Sequence, residues 1–500
     1  MKWFLYNGLF AVAYLAMLPS FLLRMKRRGG YRARMGDRFG RYPEGVARAL
    51  AGGGRRPLWL HAVSVGEVQV AVQLMRALRA RDRSVRFVFS TTSSTGWQTA
   101  ERELARLAAD GLGSDDDALI YNPLDFNGCV RRALDRVNPR AVILTETEIW
   151  PNFIRAVRRR GIPLFLVNAR LSDRSAPRYR ALRWFFGEIF RAFTKIYAQS
   201  DLDARRLADA GADRAQIAVT GSFKFDVARR DPAKERELAA WVAGEEGRPA
   251  PAILLGGSTW PGEDEVLLGL YAELVKTHPE VVLVLAPRHF EKADAVEANI
   301  RRAGFACVRR GRTLDKGHWT LERGTLDKGH WTLEKGALDG GGEKTTHQRP
   351  MSNDQCATTN VHPPTTNVQR PMSNVHPPMS NVYLCDTTGE LMGLFGIATV
   401  VFVGKSLCAH GSQNMIEPCL CGKPTLVGPY TENFRPVMSD LLAAEAVVQV
   451  PDAAALKRAV FRFFDDPAAR AAQGARAQAA VARRCGVVGR CADELLEALR

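Results

Sequence analysis

The sequence predicts an α/β protein built on two parallel, doubly wound sheets and preceded by one membrane helix. Three observations lead to this fold class. Short apolar strands alternate with helical segments twice along the chain, a polar stretch near 226–250 separates the two series, and an uncharged apolar run opens the sequence. Alternation of strands and helices is typical of parallel sheets, because each parallel strand needs a crossover to reach its neighbour.

Two series of strands define two domains. In the first series the predicted strands cover 58–62, 85–90, 141–145, 164–168, 196–199 and 217–220, with helices beginning near Gly66 and Gln98. In the second they cover 252–255, 281–286, 400–403, 425–427 and 447–450, with helices at 263–276 and 292–302. Two such sheets facing each other across a cleft form a GT-B-like architecture with two Rossmann-like domains, which we place at 29–230 and 231–500.

A segment of repeats interrupts the second series at 311–382. The sequence TLDKGHWTLE occurs at 313–322 and again at 325–334, and the whole segment is poor in large apolar residues. Such a segment cannot bury enough surface to offset its chain entropy, so we predict a disordered insertion. We expect a short turn to suffice between the strands that flank it. Repeat expansion explains its histidines better than a metal-binding tract does.

An uncharged apolar run of 21 residues, from Trp3 to Leu23, opens the chain. As a helix it is about 31 Å long at roughly 1.5 Å per residue, which is enough to cross a bilayer core. Basic residues follow it, so the positive-inside rule predicts a single-pass anchor at 1–28 with the rest of the chain in the cytoplasm. A cleaved signal peptide is disfavoured, because the basic cluster follows the apolar run. A helix that docks on the membrane without crossing it stays open as an alternative.

The net charge and the cysteine pattern indicate which partners and which cellular compartment to expect. The chain has 70 basic and 53 acidic residues and a net charge of +17, which favours anionic lipid or a phosphorylated substrate. No compact basic run is interleaved with aromatic residues, so specific nucleic-acid binding is disfavoured. The nine cysteines include no CxxC pair, and no set of potential ligands has metal-site spacing. We therefore predict a reducing compartment and no metal.

The block at 401–434, VFVGKSLCAHGSQNMIEPCLCGKPTLVGPYTENF, is typical of a strand, a glycine-bearing loop, a short helix and a second strand. Backbone N–H groups of a tight loop and a helix N-terminus suit a phosphate, and Glu417 in the helix suits the hydroxyls of a ribose. The block therefore fits a sugar nucleotide, although a plain strand–loop–helix unit gives the same pattern. A P-loop is excluded, because Thr399 occupies the place of its first glycine.

Ionisable residues follow several strands of the first series directly. Glu67, in HAVSVGEV, is a candidate general base, although Ser64 and Glu67 also match an S-x-x-E capping box. Glu146 and Glu148, in TETEIWP, either stabilise positive charge or are surface acids at the start of a helix. Lys224, in GSFKFD, either binds an anion or is a solvated loop lysine.

The second series carries polar loops of the same kind. GGSTWPGEDE at 256–265 is predicted to be a glycine loop that opens a helix, and Arg288 and His289 follow a strand where they suit an anion. In DTTGEL, Thr388 and Gly389 enter a helix from a turn and can offer backbone contacts. Fixed cations of this kind neutralise a nucleotide leaving group without a metal.

Taken together, these blocks resemble the bacterial 3-deoxy-D-manno-octulosonic acid (Kdo) transferases of lipid A assembly. The blocks HAVSVGEV, TETEIWPN, NARLSDRS, GSFKFD, GGSTWPGEDE, APRH, DTTGEL and 401–434 occur in the family's order, over nearly the whole chain apart from 311–382. The resemblance implies a GT-B fold, a CMP-Kdo donor, a lipid A precursor of the lipid IVA type as acceptor, and release of CMP at the bacterial inner membrane. It implies no cofactor beyond the donor substrate.

The resemblance also implies roles for particular residues. Glu67 would deprotonate the acceptor hydroxyl, and an acid of the Glu146/Glu148 pair would stabilise the transition state with Lys224. The residues implied to hold CMP are Arg288, His289, Thr388, Gly389, Glu390, Asn414, Met415, Ile416 and Glu417. The chain departs from the family at Lys405, where glycine is usual, and at Ser412 and Gln413, where the family usually has Gly-His.

The chemistry of Kdo transfer agrees with this reading. A ketose with a carboxylate on its anomeric carbon needs cations near the donor, and a carboxylate base that activates the incoming hydroxyl from the opposite face gives inversion. Two other interpretations stay open: a membrane-associated GT-B enzyme that uses a UDP-sugar, and a basic membrane-tethered binding protein with a degenerate site.

Overall fold

The computed structural model describes residues 1–28, 32–52, 54–227, 230–244, 251–312 and 381–500. The predicted disorder of the repeat segment concerns residues that lie almost entirely outside these ranges.

The N-terminal half forms a sheet of seven parallel strands in the order β3-β2-β1-β4-β5-β6-β7. The strands are β1 (Leu58–His61), β2 (Phe87–Thr91), β3 (Ala118–Tyr121), β4 (Ala141–Thr145), β5 (Leu164–Ala169), β6 (Lys195–Ala198) and β7 (Ile217–Val219). The helices are α1 (Lys2–Arg28), α2 (Glu44–Ala51), α3 (Val65–Arg81), α4 (Ser94–Ala109), α5 (Asn127–Val137), α6 (Pro151–Arg159), α7 (Ala176–Ala181), α8 (Arg183–Phe190), α9 (Asp201–Asp209) and α10 (Lys224–Val227).

The C-terminal half forms a second sheet of seven parallel strands, in the order β10-β11-β9-β8-β12-β13-β14. Its strands are β8 (Ala252–Thr259), β9 (Val281–Pro287), β10 (Ala306–Arg309), β11 (Asn381–Leu384), β12 (Val400–Val403), β13 (Thr425–Val427) and β14 (Val448–Gln449). Its helices are α11 (Pro232–Ala243), α12 (Glu263–Thr277), α13 (Ala293–Arg302), α14 (Leu391–Ile397), α15 (Ile416–Leu420), α16 (Arg435–Ala443), α17 (Ala453–Asp465), α18 (Pro467–Ala482) and α19 (Val487–Ala498).

Both faces of each sheet are covered, which explains why the strands are apolar throughout and do not alternate with polar residues. In β1, Trp59 packs into the core on one face, whereas Leu58 and Leu60 pack into the core on the other. The side chains of β4 divide in the same way, with Val142 on the first face and Ile143 on the second. This two-residue period places two separate cores around each sheet.

Most predicted strands are confirmed, and three that the sequence did not indicate are β3, β10 and β11. The glycine loop predicted at 256–265 is partly wrong, because Gly256 and Gly257 lie inside β8. A Cβ on Gly256 would stand 2.6 Å from the Leu267 side chain, and one on Gly257 would stand 2.9 Å from the Phe395 ring. These glycines therefore allow helices to pack closely on the strand.

The expectation of a short turn across the repeat segment is wrong. Strands β10 and β11 are parallel neighbours, with Ala306 opposite Asn381 and Arg309 opposite Leu384. The end of β10 and the start of β11 thus lie at opposite edges of the sheet. A connection between them must be a crossover of about a dozen residues or more.

The last helix returns to the first sheet. Val487, Cys491 and Leu495 of α19 are buried in the same core as Leu60 of β1. Asp226 holds the start of this helix, because its carboxylate accepts the Gly486 and Val488 N–H groups at 2.6 and 2.7 Å. The domain boundaries at 29–230 and 231–500 stay a prediction. Helix α19 belongs to the second range by its position in the chain, but it packs on the sheet of the first.

Helix α1 lies against the N-terminal domain. The Trp3 and Tyr6 rings pack on Phe185 with centroids 5.4 and 5.5 Å apart, and Phe10 packs on Phe126 at 5.0 Å. The opposite face of α1 exposes the large apolar side chains of Phe4, Leu5, Leu9, Val12 and Leu15, and Met17 is exposed about two turns beyond Phe10. Within the described chain, Lys2–Ser20 is the one stretch of helix that is long and apolar enough to cross a membrane.

Candidate active site

The strand order reverses at the centre of each sheet, between β1 and β4 in the first and between β8 and β12 in the second. Open parallel sheets bind ligands beyond the carboxyl ends of the strands at such a switch point. Glu67, Glu146 and Glu148 follow β1 and β4, and the 404–417 segment follows β12. The topology therefore places each group of predicted residues at the position where α/β folds bind ligands.

Glu67 both caps α3 and reaches the neighbouring strand. Its backbone N–H donates to Ser64 Oγ at 3.3 Å, the Ser64 hydroxyl donates to Oε1 at 2.8 Å, and the Val63 N–H donates to Oε2 at 3.0 Å. Thr145 Oγ1, at the end of β4, lies 3.3 Å from Oε2. The capping interpretation is therefore realised in the structure. Two carboxylate oxygens carry about four acceptor positions, so Glu67 retains room for a further donor such as a substrate hydroxyl.

Glu146 and Glu148 are not solvated surface acids, since their side chains are only 17% and 23% exposed. Glu146 adopts a left-handed backbone with φ of 51° and lies 3.2 Å from the Arg170 guanidinium. Burial raises the pKa of Glu146, and Arg170 opposes that shift. Burial, and then the negative charge of Glu67, raises the pKa of Glu148 to about 7. The three acids thus share one electrostatic environment.

His61 is a site residue that sequence reasoning missed. It is wholly buried at the end of β1, and its Nδ1 lies 3.1 Å from the Ser90 carbonyl oxygen and 2.9 Å from the Ser90 hydroxyl. Its Nε2 faces Glu148 Oε2 at 4.0 Å. Burial lowers the pKa of His61 to about 4, so the ring is neutral at pH 7. The signal in the sequence was its place as the first residue of HAVSVGEV, six positions ahead of Glu67.

Lys224 begins α10 and lies close to the acids. Burial lowers the pKa of its ammonium, and the charge of Glu146 opposes that shift. Its Nζ lies 5.1 Å from the centre of the Phe434 ring, which belongs to the second half of the chain. Arg435 pairs with Asp173 at 3.1 Å in the same region. Lys224 is therefore a partly desolvated cation between the two sheets, and not a solvated loop lysine.

On the second sheet, Asn414 and Glu417 form a pair at the start of α15. Asn414 Nδ2 donates to Glu417 Oε1 at 3.0 Å, and Asn414 Oδ1 accepts the Ile416 N–H at 3.1 Å. Burial raises the pKa of Glu417, and the hydrogen bond from Asn414 opposes that shift. The side chains of Met415 and Ile416 are wholly buried in the core, so only their backbone can face a ligand.

The remaining predicted donor residues differ in their surroundings. Arg288 is exposed, and the His289 ring packs edge-on against Trp260 at 5.2 Å. Thr388 and Gly389 are exposed in the turn before α14. Glu390 is buried and pairs with Arg310 at 3.1 Å and with Lys234 at 3.2 Å, which gives it structural partners.

The 405–408 loop contradicts the expectation that its N–H groups approach a phosphate. The wholly buried carboxylate of Glu263 accepts the N–H groups of Lys405, Ser406 and Leu407 at 2.8, 3.0 and 3.0 Å. Glu263 also accepts the Trp260 N–H at 2.9 Å. An internal carboxylate thus occupies the backbone donors that a phosphate would need. Sequence reasoning missed Glu263, because its partners lie more than 140 residues away along the chain.

Comparison with known proteins decides the family. A profile described as 3-deoxy-D-manno-octulosonic-acid transferase (kdotransferase) matches residues 33–227. The 3-deoxy-D-manno-octulosonic acid transferase of Bordetella pertussis is 32% identical over 498 residues, which cover 98% of each chain. The chain belongs to the 3-deoxy-D-manno-octulosonic acid transferase family. The Haemophilus influenzae transferase of the same name is 27% identical over 98% of this chain and 97% of its own.

Solved structures confirm the GT-B prediction for this Kdo transferase family member. HepE of Anabaena, solved with UDP, matches with a TM-score of 0.52 at 12% identity, over 89% of this chain and 100% of its own. The UDP-GlcNAc 2-epimerase of Neisseria meningitidis matches with a TM-score of 0.52 at 10% identity, over 89% and 99%. At such identities these neighbours establish the fold alone, whereas the family relatives establish that the chain is a glycosyltransferase.

Proposed function

We propose that this protein is an inverting glycosyltransferase that moves Kdo from CMP-Kdo to a hydroxyl of a lipid A precursor of the lipid IVA type, with release of CMP, in lipopolysaccharide core biosynthesis. The observation that carries this proposal is the group of three carboxyls, Glu67, Glu146 and Glu148, beside Lys224 at the switch point of the first sheet. The family relatives, which are named as Kdo transferases, support it.

In the proposed reaction Glu67 removes the proton from the acceptor hydroxyl. Ser64 and Val63 fix its carboxylate, so the base is held in place before the substrate arrives. The acceptor oxygen then attacks the anomeric carbon from the face opposite CMP, and one displacement inverts that centre. Lys224 and an acid of the Glu146/Glu148 pair stabilise the charges that develop on the sugar.

On the donor side we propose that CMP is held by residues from three loops and the start of α15. These residues are Arg288, His289, Thr388, Gly389, Glu390, Asn414, Met415, Ile416 and Glu417, of which the last two lie in α15. Glu417 accepts the ribose hydroxyls, and its hydrogen bond from Asn414 orients the carboxylate. The exposed guanidinium of Arg288 is available to the phosphate. We propose that fixed cations such as Arg288 neutralise the CMP leaving group without a metal or cofactor.

We propose that the protein acts at the cytoplasmic face of a bacterial inner membrane and binds no nucleic acid. The basic residues at the end of α1 and in the segment that follows it would attract anionic headgroups. The single-pass arrangement stays a prediction. The contacts of α1 with Phe185 and Phe126 favour the alternative, a helix that stays on the protein and turns its apolar outer face to lipid.

The test is incubation of the purified full-length protein with CMP-Kdo and a tetra-acylated lipid A precursor, followed by mass spectrometry of the lipid. We expect product masses that exceed the precursor by whole Kdo residues, and no product with CMP-Kdo omitted. A UDP-sugar enzyme would instead give no Kdo product and would be protected from heat by UDP rather than by CMP. A degenerate binding protein would bind the lipid without forming either product.

A further inference from the structure

Two residues of the loop after β12 are held in a backbone conformation that favours glycine. Lys405 has φ of 57° and Ser412 has φ of 60°, and the Ser412 N–H donates to the Lys405 carbonyl at 2.7 Å. A residue with a Cβ is strained in this left-handed region, and such strain is found where a side chain has a use. Ser412 is buried, whereas Lys405 is half-buried.

A hydrogen bond to the carboxylate of Glu263 fixes the backbone of Lys405. This carboxylate accepts the N–H groups of Lys405, Ser406 and Leu407, and it has no exposed surface of its own. Because its oxygens are filled by backbone donors, Glu263 is not available as an ion-pair partner for the Lys405 ammonium. Glu263 therefore sets the direction in which the Lys405 side chain leaves the loop.

The Lys405 ammonium lies on an aromatic platform at the switch point. Its Nζ is 4.8 Å from the centre of the Trp260 ring, and Trp260 packs edge-on against His289 at 5.2 Å. These three side chains come from the loops after β12, β8 and β9. Among the described residues Lys405 has no carboxylate within ion-pair distance, and the buried Trp260 Nε1 has no acceptor. The platform thus presents a fixed cation where a parallel sheet binds its ligand.

We propose that Lys405 binds an anionic oxygen of the donor, either its phosphate or its sugar carboxylate, and so supplies a donor-binding cation that this chain adds to Arg288. The inference rests on the proposed function, since it needs an anionic sugar nucleotide in the cleft. It also explains why a strained lysine stands at this point of the loop: the ammonium contributes binding that a glycine cannot.

The experiment compares Lys405→Gly with Ser412→Gly. Both variants relieve left-handed strain in the same loop, but only the first removes a charge. Calorimetric titration with CMP and with CMP-Kdo measures donor affinity, and thermal unfolding measures stability. We expect both variants to unfold at or above the wild-type temperature, and we expect only Lys405→Gly to bind CMP-Kdo about tenfold or more weakly, which is the usual value of one charge-assisted hydrogen bond.

A second variant, Lys405→Met, keeps the strained backbone and the contact with Trp260 but lacks the charge, and we expect the same loss of affinity. If Lys405→Gly does not fold, the donor affinity of Lys405→Met alone tests the proposal. An equal loss for CMP and CMP-Kdo assigns the contact to the phosphate, whereas a loss confined to CMP-Kdo assigns it to the sugar carboxylate. Unchanged affinity for both ligands in both variants overturns the inference alone. A wild-type protein that binds neither ligand overturns the proposed function, and the inference with it.

Discussion

Replacing Glu67 by glutamine separates catalysis from helix capping in a single substitution. In the structure Oε1 accepts from the Ser64 hydroxyl at 2.8 Å and Oε2 accepts from the Val63 N–H at 3.0 Å. Glutamine retains both contacts when its carbonyl faces Val63 and its amide donates to Ser64 Oγ, which keeps a free lone pair once its hydroxyl turns away. We therefore expect Glu67→Gln to cost at most about 1 kcal/mol of folding free energy.

The effect on turnover should be far larger. A neutral amide cannot take the proton of the acceptor hydroxyl, and removal of a general base typically lowers the rate by about 10²–10⁴-fold. That loss corresponds to roughly 2.7–5.4 kcal/mol in the activation barrier. It should appear in kcat, because Glu67 lies on the first sheet and the proposed CMP residues lie on the second. CMP affinity should therefore stay at the wild-type value.

The assay measures CMP release and the mass of the lipid product at saturating CMP-Kdo and lipid A precursor, with CMP titration and thermal unfolding alongside. Ser64→Ala is the matched control, because it removes the capping partner and leaves the carboxylate. It should lose about 1 kcal/mol of stability, the usual value of an N-cap, and its turnover should fall far less than that of Glu67→Gln, because the Val63 N–H still holds the carboxylate. Near-normal turnover by a folded Glu67→Gln protein would refute the base assignment and move attention to Glu146 and Glu148.

Three further predictions follow from the site and from α1. Glu417→Ala and Arg288→Ala should each weaken CMP binding by roughly 1.5–3 kcal/mol in calorimetry with little change in Tm, and unchanged affinity in both would move the donor site elsewhere. Because burial raises the pKa of Glu148 from about 4.5 in the unfolded chain to about 7, the protonated carboxyl contributes stability that is fully present below pH 4.5 and is lost as pH rises through about 7. Glu148→Gln should therefore be more stable than wild type at pH 8 and similar to it at pH 4 in denaturant titrations. A difference in stability that does not depend on pH would contradict the raised pKa. Removal of residues 1–28 should give a more soluble protein that still transfers Kdo in detergent, but one with a lower Tm, because the Asp125 carboxylate loses the Tyr6 hydroxyl at 2.7 Å; an unchanged Tm would show that the docked face of α1 contributes no stability.

The sequence was informative about the sheets because buried parallel strands are continuous apolar runs. Strands β4, β12 and β13 begin and end where the pattern predicts. The three missed strands lack that pattern for local reasons. β3 follows an acidic run, β10 is only partly buried at the sheet edge, and β11 emerges from the repeat segment. A strand whose burial depends on its neighbours cannot be recognised from four residues alone.

In the candidate site too, the sequence predicted contacts between residues that are near in the chain, but not contacts between residues that are far apart. The S-x-x-E spacing predicted the contact of Ser64 with Glu67, which are three residues apart. The contact of Glu67 with Thr145 joins residues 78 positions apart, and no local pattern indicates it. For the same reason the sequence suggested that N–H groups of the loop within 401–434 approach a phosphate, whereas those of Lys405, Ser406 and Leu407 donate to a carboxylate from another helix. Side-chain contacts to distant backbone are set by the packing of elements, which a single sequence does not reveal.

Helix α1 and the start of α6, which follows the acidic loop at 146–148, both contact one buried group, Asp125, and this links two parts of the chain that the sequence presents as independent. Asp125 accepts the N–H groups of Asn152 and Phe153 at 3.0 and 2.8 Å, which caps α6, and it accepts the Tyr6 hydroxyl of α1. Helix α6 begins directly after Glu148 and Trp150, so its N-terminus fixes where the acidic loop ends. A buried carboxylate that loses one of its donors costs free energy, and the first turn of α6, which Asp125 caps, would then be held less firmly. The position of α1 on the domain and the geometry of the acids are therefore coupled through Asp125, and α1 takes part in shaping the loop that carries Glu146 and Glu148.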